Sequence, residues 1–162
     1  MAKKIRNGER WLTILVDTGV LYALFDKSDG RNSDARAIML RILKGSFGSP
    51  VVIDYVILET ITLLNQRKIH TAIQPLMQFL RENKFTIFFI TEQVFSEAIE
   101  ITIKNEADFL NLSDSSQIVV SKTLSVRAIA TFDSFLGNFF ETRIGKGYYK
   151  LLDEKERRTL KQ

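Results

Sequence analysis

The stretch that decides the fold is LTILVDTGVLYALF, residues 12–25. Its first part, Leu12 to Val16, is an apolar run rich in branched residues, which predicts a buried strand. Asp17 ends this run, and Val20 to Phe25 has the spacing of a helix. A strand that leads directly into a helix is the first half of a unit in which parallel strands alternate with helices.

The rest of the chain repeats this alternation. Further strands are predicted at Pro50 to Ile53, Phe85 to Ile90, Arg127 to Thr131 and, as a possible fifth, Tyr148 to Leu152. Helices are predicted at Asp34 to Lys44, Tyr55 to Gln66 with Asp54 as its cap, Ala72 to Glu82, from Thr91 onward, and Leu112 to Leu124, with a short helix or loop at Asp133 to Phe140. This order predicts an α/β protein whose parallel sheet is covered by helices on both faces.

Length and composition indicate one domain over residues 1–162. The chain is 45% hydrophobic and 26% charged, as globular proteins are, and holds no apolar run near the roughly 20 residues that span a bilayer. We therefore expect no membrane segment and a cytoplasmic location. Residues 1–10 form a basic arm, and residues 153–162 form a charged tail that is expected to be a solvated helix end or a frayed terminus.

The residue counts exclude several kinds of active site. With no cysteine, the chain has no disulfide, no thiolate zinc site and no cysteine nucleophile. With His70 as its one histidine it cannot be a two-histidine ribonuclease, and the G-x-S-x-G motif of serine hydrolases is absent. Hydrolytic chemistry would therefore depend on carboxylates. The net charge of +4 favours a polyanionic partner.

Three aspartates lie where a parallel sheet places its ligand crevice, beyond the carboxyl ends of the strands. Asp17 follows the first strand, Asp133 follows the fourth, and Asp114 stands at the start of the helix before the fourth strand. Each could instead cap a helix, and the sequence D-S-S-Q at residues 114–117 resembles a capping box.

Glu59 interrupts a helix that is otherwise largely apolar. Its neighbours at helical spacing are Val56, Tyr55 and Leu63. A buried, unpaired carboxylate there would cost several kcal/mol or take up a proton. The alternative is a side chain that reaches solvent or pairs with Lys or Arg, although no basic residue stands three or four positions away.

Together these acids predict a cation site. If the carboxylates lie about 4 to 6 Å apart, their repulsion amounts to a few kcal/mol per pair, which protonation or a bound cation relieves. A cluster made of oxygen ligands favours Mg²⁺ or Mn²⁺ over zinc or copper.

Four segments of the chain resemble the PIN-domain nucleases, and length and spacing are most similar to the VapC-type toxins of prokaryotic toxin-antitoxin pairs. The likeness extends from about Leu12 to Leu151 and is carried by the order of its motifs. These are ILVDTGVLYALFDKSD (residues 14–29), YVILETITLLNQ (55–66), NLSDSSQIVVSK (111–122) and IATFDSF (129–135).

The resemblance implies a three-layer α/β/α sandwich with a five-stranded, mainly parallel sheet. It also implies that Asp17, Glu59, Asp114 and Asp133 are the catalytic metal ligands, with Thr131 in a supporting position. The activity would be metal-dependent endoribonuclease cleavage of single-stranded or loop RNA that leaves a 5′-phosphate and a 3′-hydroxyl. A homodimer and an antitoxin partner are implied as well.

The sequence departs from the family pattern at two positions. Gly19 stands where the family often has Ser or Thr, which we expect to matter little. Phe135 stands where a further acid often follows Asp133, which puts a second metal position in doubt.

Five basic residues are candidates for phosphate contacts, with ordinary exposed surface charge as the alternative. They are Arg31, Arg36, Lys104, Lys122 and Arg127.

The same motifs argue against two other classes of enzyme. The string LVDTG at residues 15–19 also occurs around the catalytic Asp of retroviral-type aspartic proteases, but those are all-β proteins, and here the motif leads into a helical segment. Haloacid-dehalogenase-type phosphatases need D-x-D, and position 19 is Gly. The alternative that stays open is a noncatalytic PIN-like module that binds RNA or a protein.

Overall fold

The computed structural model describes residues 13–105 and 110–161, so the basic arm predicted at residues 1–10 lies outside the described residues. The strands are β1 Thr13–Val16, β2 Ser49–Ile53, β3 Thr86–Phe88, β4 Ala128–Ala130 and β5 Thr142–Ile144. The α-helices are α1 Thr18–Phe25, α2 Asn32–Leu43, α3 Asp54–Gln66, α4 Ile73–Glu82, α5 Glu92–Lys104, α6 Leu112–Thr123, α7 Ser134–Gly137 and α8 Glu154–Thr159. The predicted α/β class and five-stranded parallel sheet are confirmed.

The order of the strands creates a crevice beside β1. The sheet runs β3-β2-β1-β4-β5, and every pairing is parallel. In the register, Ile14 lies opposite both Pro50 of β2 and Ala128 of β4. The chain moves outward from β1 through β2 to β3 and then returns to the other side of β1 as β4. The carboxyl ends of β1 and β4 therefore mark the topological switch point, where ligands bind in open α/β sheets.

The central strand forms the middle of the hydrophobic core. Ile14, Leu15 and Val16 of β1 are completely buried, as expected for a parallel sheet covered on both faces. Burying a side chain of this size contributes roughly 1.5–3 kcal/mol. The end of β1, and the residue that follows it, are therefore held rigidly. In the described ranges 13–105 and 110–161, no helix has both the length and the apolar character needed to cross a membrane.

The prediction of a strand at Tyr148 to Leu152 is wrong. Residues Tyr148–Leu151 form a 3-10 helix, and the fifth strand is Thr142–Ile144. The backbone N–H groups of Gly147 and Tyr149 each donate to the Asp34 carboxylate at 2.8 Å. Gly147 also adopts a left-handed φ of 83°, so the chain turns away from the sheet and onto α2.

The charged tail is more ordered than expected. Asp153 and Glu156 form a capping box at the start of α8. The Glu156 carboxylate is buried, with Arg41 Nη2 at 2.8 Å and Lys44 Nζ at 3.3 Å. Most of the other side chains from Asp153 to Lys161 are exposed, so α8 is a largely solvated helix that docks on α2 through the Glu156 ion pair.

Replacing Glu156 with alanine is expected to destabilise the fold by about 1–2 kcal/mol, the loss typical of a helix cap and a charge-assisted hydrogen bond. The ion-pair contribution is modest because Arg41 and Lys44 are partly exposed and screened by solvent. Urea denaturation measures the change. The control is Glu154→Ala on the same helix, whose exposed pair with Arg158 should matter by less than about 0.5 kcal/mol. Equal midpoints for both variants would contradict the docking role.

One local expectation, the cap of α3, also needs correction. Asp54 is not the cap of α3, because Ile53 holds that position and Asp54 lies in the first turn. Its Oδ1 accepts from the backbone N–H of Tyr55 at 3.0 Å and of Ile90 at 3.2 Å. Asp54 therefore ties the segment after β3 to the start of α3.

Candidate active site at the carboxyl ends of β1 and β4

Asp17 is the best-anchored acid of the site. It follows β1 directly, and its backbone N–H donates to the carbonyl of Ala130 at 3.0 Å. Its side chain accepts from Gln117 Nε2 at 2.9 Å through Oδ1 and from Thr131 Oγ1 at 2.7 Å through Oδ2. The residue is only 8% exposed. Both carboxylate oxygens are therefore fixed in position by donors from α6 and from the end of β4.

Burial and hydrogen bonding act in opposite directions on this carboxyl. Burial raises the pKa of Asp17 above its ordinary value, and the hydrogen bonds from Thr131 and Gln117 oppose that rise. The negative charge of Glu59 raises the pKa further. The two donors thus stabilise an anion in a place where solvent cannot.

Glu59 reaches the same edge of the sheet from α3. The residue is half-buried, and its Oε2 accepts from Thr18 Oγ1 at 2.7 Å. Thr18 is the neighbour of Asp17 and the first residue of α1. This contact with a hydroxyl group, rather than with Lys or Arg, leaves the negative charge of Glu59 uncompensated by that partner.

Asp114 lies in the first turn of α6 and is part of a capping box. Asn111 is the N-cap, the N–H of Asp114 donates to Asn111 Oδ1 at 2.8 Å, and the N–H of Asn111 donates to Asp114 Oδ2 at 3.1 Å. The box predicted at residues 114–117 is therefore displaced by three residues, and Asp114 is not the cap itself. It is nevertheless only 8% exposed.

The four acids act on one another electrostatically. Burial, opposed by the hydrogen bond from Asn111 and reinforced by the charges of Asp17, Asp133 and Glu59, raises the pKa of Asp114 to about 7. Asp114 and the three acids that raise its pKa come from four separate segments of the chain. The site therefore concentrates negative charge at one edge of the sheet.

Asp133 is the exposed member of this group. It caps α7, with its Oδ1 accepting from the N–H of Phe135 at 2.7 Å and of Leu136 at 3.1 Å. Its own N–H donates to Thr131 Oγ1 at 3.0 Å. Thr131 thus connects Asp133 to Asp17 through one hydroxyl group. The capping role that the sequence offered as an alternative is present, and it uses Oδ1 alone.

Thr131 is held by a close approach of the chain after β5. Its N–H donates to the carbonyl of Ile144 at 2.9 Å. A Cβ atom on Gly145 would lie 2.3 Å from the Thr131 carbonyl oxygen, so this position requires glycine. The backbone of β5 therefore fixes the hydroxyl that contacts Asp17.

Sequence reasoning missed Gln117. Its side chain is completely buried, and it lies three residues after Asp114 on the same face of α6. Its Oε1 is buried without a hydrogen-bond partner among the described residues. A long polar side chain beside Ile118, Val119 and Val120 was the available signal. Its partner, 100 residues away, could not be read from the sequence.

One of the basic candidates lies near the acids. Arg31 pairs with Asp29 at 2.7 Å, and its guanidinium group is close enough to Asp17 to sense its charge. Lys104, in the last turn of α5, has an exposed side chain that pairs with Glu100 at 3.6 Å.

The other three candidates are exposed side chains with weaker links to the site. Lys122 lies in the last turn of α6, and Arg127 precedes β4, so both are at the edge of the sheet opposite the acids. Arg127 also pairs with Glu141 at 3.6 Å. Arg36 is exposed on α2.

The side chains of the site are of the type that bind a hard divalent cation, but few of them could contact the ion directly. Its ligands would be carboxylate oxygens, and the repulsion felt at Asp114 favours a positive charge. Within residues 13–105 and 110–161, however, no three acidic or histidine side chains form a ready ligand group. Mg²⁺ commonly keeps several waters and uses one or two protein carboxylates, which this arrangement can supply.

Comparison with known families identifies the class of protein that has this fold and this acidic edge of the sheet. The family model of the PIN domain matches residues 14–138, and the chain belongs to this family. The match contains Asp17, Glu59, Asp114 and Asp133.

Individual relatives show which kinds of PIN-domain protein this chain is similar to. The chain is 28% identical over 151 residues to a VapC ribonuclease of Archaeoglobus fulgidus, covering 92% of this chain and 93% of the relative. Its fold is similar to the crystal structure of Mycobacterium tuberculosis VapC20, a toxin that cleaves the sarcin-ricin loop. That comparison has a TM-score of 0.67 at 22% identity and covers 78% of this chain and 95% of the other. A toxin-antitoxin complex from Klebsiella pneumoniae gives a TM-score of 0.55 at 16% identity over 75% and 87% of the two chains.

Proposed function

We propose that this protein is a Mg²⁺- or Mn²⁺-dependent endoribonuclease of the VapC type that hydrolyses phosphodiester bonds in single-stranded or loop RNA. The observation that carries the proposal is the buried Asp17, held by two neutral donors in the field of Glu59 and beside Asp114. The two donors favour the charged form of Asp17 against burial, which raises its pKa and favours the protonated form, and a bound cation would complete that balance. Unstacked RNA is the class of substrate that an acidic crevice at a sheet edge can admit.

In this proposal the role of each acid depends on how exposed its side chain is. Asp17 and Asp114 would hold the cation from the buried side, with Glu59 beside them, while the exposed Asp133 faces the incoming RNA. Thr131 would keep Asp17 in its orientation. When bound, Mg²⁺ or Mn²⁺ supplies Lewis-acid stabilisation of the phosphoryl oxygens and activation of water.

The proposed partners follow from the likeness to the VapC ribonuclease and to the toxin-antitoxin complex. We propose an antitoxin protein and a second copy of the chain as partners, and a cytoplasmic location where RNA is available.

A noncatalytic PIN-like module is the second candidate function. The observation that favours it is that no three acids in the described part of the chain are arranged as a ready ligand group. Such a module would bind RNA or a protein through the same crevice without cutting it.

Cleavage of a structured RNA is expected to require added Mg²⁺ or Mn²⁺ and to stop in excess EDTA, because the chain has no pair of histidines to replace the ion. Gel analysis of end-labelled RNA measures this, and returning Mn²⁺ in excess of EDTA should restore the products. Cleavage that persists in EDTA would refute the proposal. RNA and cation binding without product would favour the noncatalytic module.

A further inference from the structure

The guanidinium group of Arg31 lies over the Phe132 ring beside the acidic site. The guanidinium carbon of Arg31 is 5.2 Å from the centroid of the ring. Phe132 stands between Thr131, which bonds Asp17, and Asp133. The pair is therefore next in the chain to Asp133 and to the hydroxyl-bearing residue that contacts Asp17.

Asp29 fixes the plane of the guanidinium group. Nε of Arg31 donates to Asp29 Oδ1 at 2.9 Å, and Nη2 donates to Oδ2 at 2.7 Å. The backbone N–H of Arg31 also donates to Oδ1 at 2.7 Å. Paired hydrogen bonds of this kind hold the flat group in one orientation and balance its charge locally.

The pair lies directly over Gly19. A Cβ atom built on this glycine would be 3.7 Å from Arg31 Nη1 and 3.6 Å from Phe132 Cδ2. Gly19 follows Asp17 by two residues, so Nη1 is at the mouth of the acidic crevice. The Arg31 side chain is nevertheless 45% exposed, which leaves much of the guanidinium group open to a ligand.

We propose that Arg31 and Phe132 form a stacking platform for the base of a nucleotide that flanks the scissile phosphate. The inference rests on the proposed ribonuclease function and adds a base-binding subsite to it. Arginine planes and aromatic rings are the surfaces on which proteins stack unpaired bases. Phe132 covers one face of the Arg31 guanidinium group, and Asp29 occupies its paired edge and balances its charge. The opposite flat face, supported from behind by the Phe132 ring, is therefore what remains for RNA.

Binding of two single-stranded probes tests the platform. One is a fluorescent eight-nucleotide oligoadenylate, and the other is an abasic ribose-phosphate chain of the same length and charge. Anisotropy is measured in EDTA, so that nothing is cleaved. Arg31→Lys keeps the charge and removes the plane, and Phe132→Leu keeps apolar bulk and removes the ring. Each should weaken binding of oligoadenylate by about tenfold and leave binding of the abasic chain unchanged.

The control is Arg81→Lys, an equivalent change at an exposed arginine of α4, which should bind both probes like the wild type. If Phe132→Leu fails to fold, Arg31→Lys alone decides the matter. Equal losses on both probes, with a shallower salt dependence for Arg31→Gln, would indicate a phosphate contact and overturn the platform.

The platform and the proposed function can fail separately. Equal wild-type affinity for the two probes overturns the platform, while cleavage with Mn²⁺ would still stand. Absence of cleavage with any divalent cation removes the ribonuclease proposal, while a preference for the base-bearing probe would still support the platform.

Discussion

Asp17→Asn is expected to lower the single-turnover rate of RNA cleavage by at least about 10²–10³-fold, the loss typical when one electrostatic contact is removed from an active site. The asparagine has the same shape but no charge to hold a cation. Its fold should be preserved, because the amide of Gln117 can turn and offer its unpartnered Oε1 to the new NH₂ group. Thr131 can still donate to the remaining oxygen.

A matched control for this variant is Asp26→Asn. Asp26 is as buried as Asp17, but it accepts from Tyr22 and Ser28 away from the crevice. Asp26→Asn should keep full cleavage and lose some thermal stability, the reverse of the effect at Asp17. If Asp17→Asn still cleaves within tenfold of the wild type, the assignment of Asp17 as the central ligand is wrong.

Without divalent cations, the stability of the protein is expected to fall as the pH rises from about 4 to about 7. Burial raises the pKa of Asp114 from 3.8 to about 7, so in this window the folded protein keeps a proton that the unfolded chain has released. The contribution is full below pH 3.8 and is lost as the pH passes 7. Burial also raises the pKa of Asp17, which adds a slope of the same sign.

A cation should reverse this loss above pH 7. An ion present at about 100 times its dissociation constant stabilises the folded state by about 2.7 kcal/mol, a rise in melting temperature of about 5–10 °C for a chain of this size. Thermal unfolding of the wild type and of Asp114→Asn, from pH 4.5 to 8.5, with EDTA or Mn²⁺, measures both effects.

Asp114→Asn should flatten part of the pH slope and lose most of the rise caused by Mn²⁺. Glu97→Gln, an exposed change on α5, is the control and should behave like the wild type. An Asp114→Asn protein with an unchanged slope and an unchanged response to Mn²⁺ would show that this carboxyl is not the linked group.

Local patterns were sufficient to predict the centre of the fold. The apolar run from Leu12 to Val16 predicts a buried strand, and three of its residues are completely buried in the structure. The prediction succeeds because a strand in the middle of a parallel sheet is covered on both faces and is therefore continuously apolar. Its carboxyl end then places Asp17 at the switch point as a consequence of topology. The positions of Asp114 and Asp133 follow in the same way, although their capping partners were misassigned or left open.

Contacts between distant segments were beyond prediction. The residues at 148–152 have the composition of a strand, but two hydrogen bonds to Asp34, more than 110 residues away, hold them on α2. The true fifth strand has only three residues, one of them Arg143. Its pattern of apolar residues is therefore too short to predict a strand. Gln117 and Glu156 likewise acquire their roles from partners that sequence spacing does not reveal.

The same long-range hydrogen bonds set the order in which the candidate site can be completed during synthesis of the chain. Asp17 emerges early from the ribosome, but Gln117 and Thr131 follow it by 100 and 114 residues. Until β4 is made and inserted beside β1, a nascent chain has the first acid without the groups that orient it. Under the proposed function, each nascent chain would therefore gain a complete site only after β4 is in place.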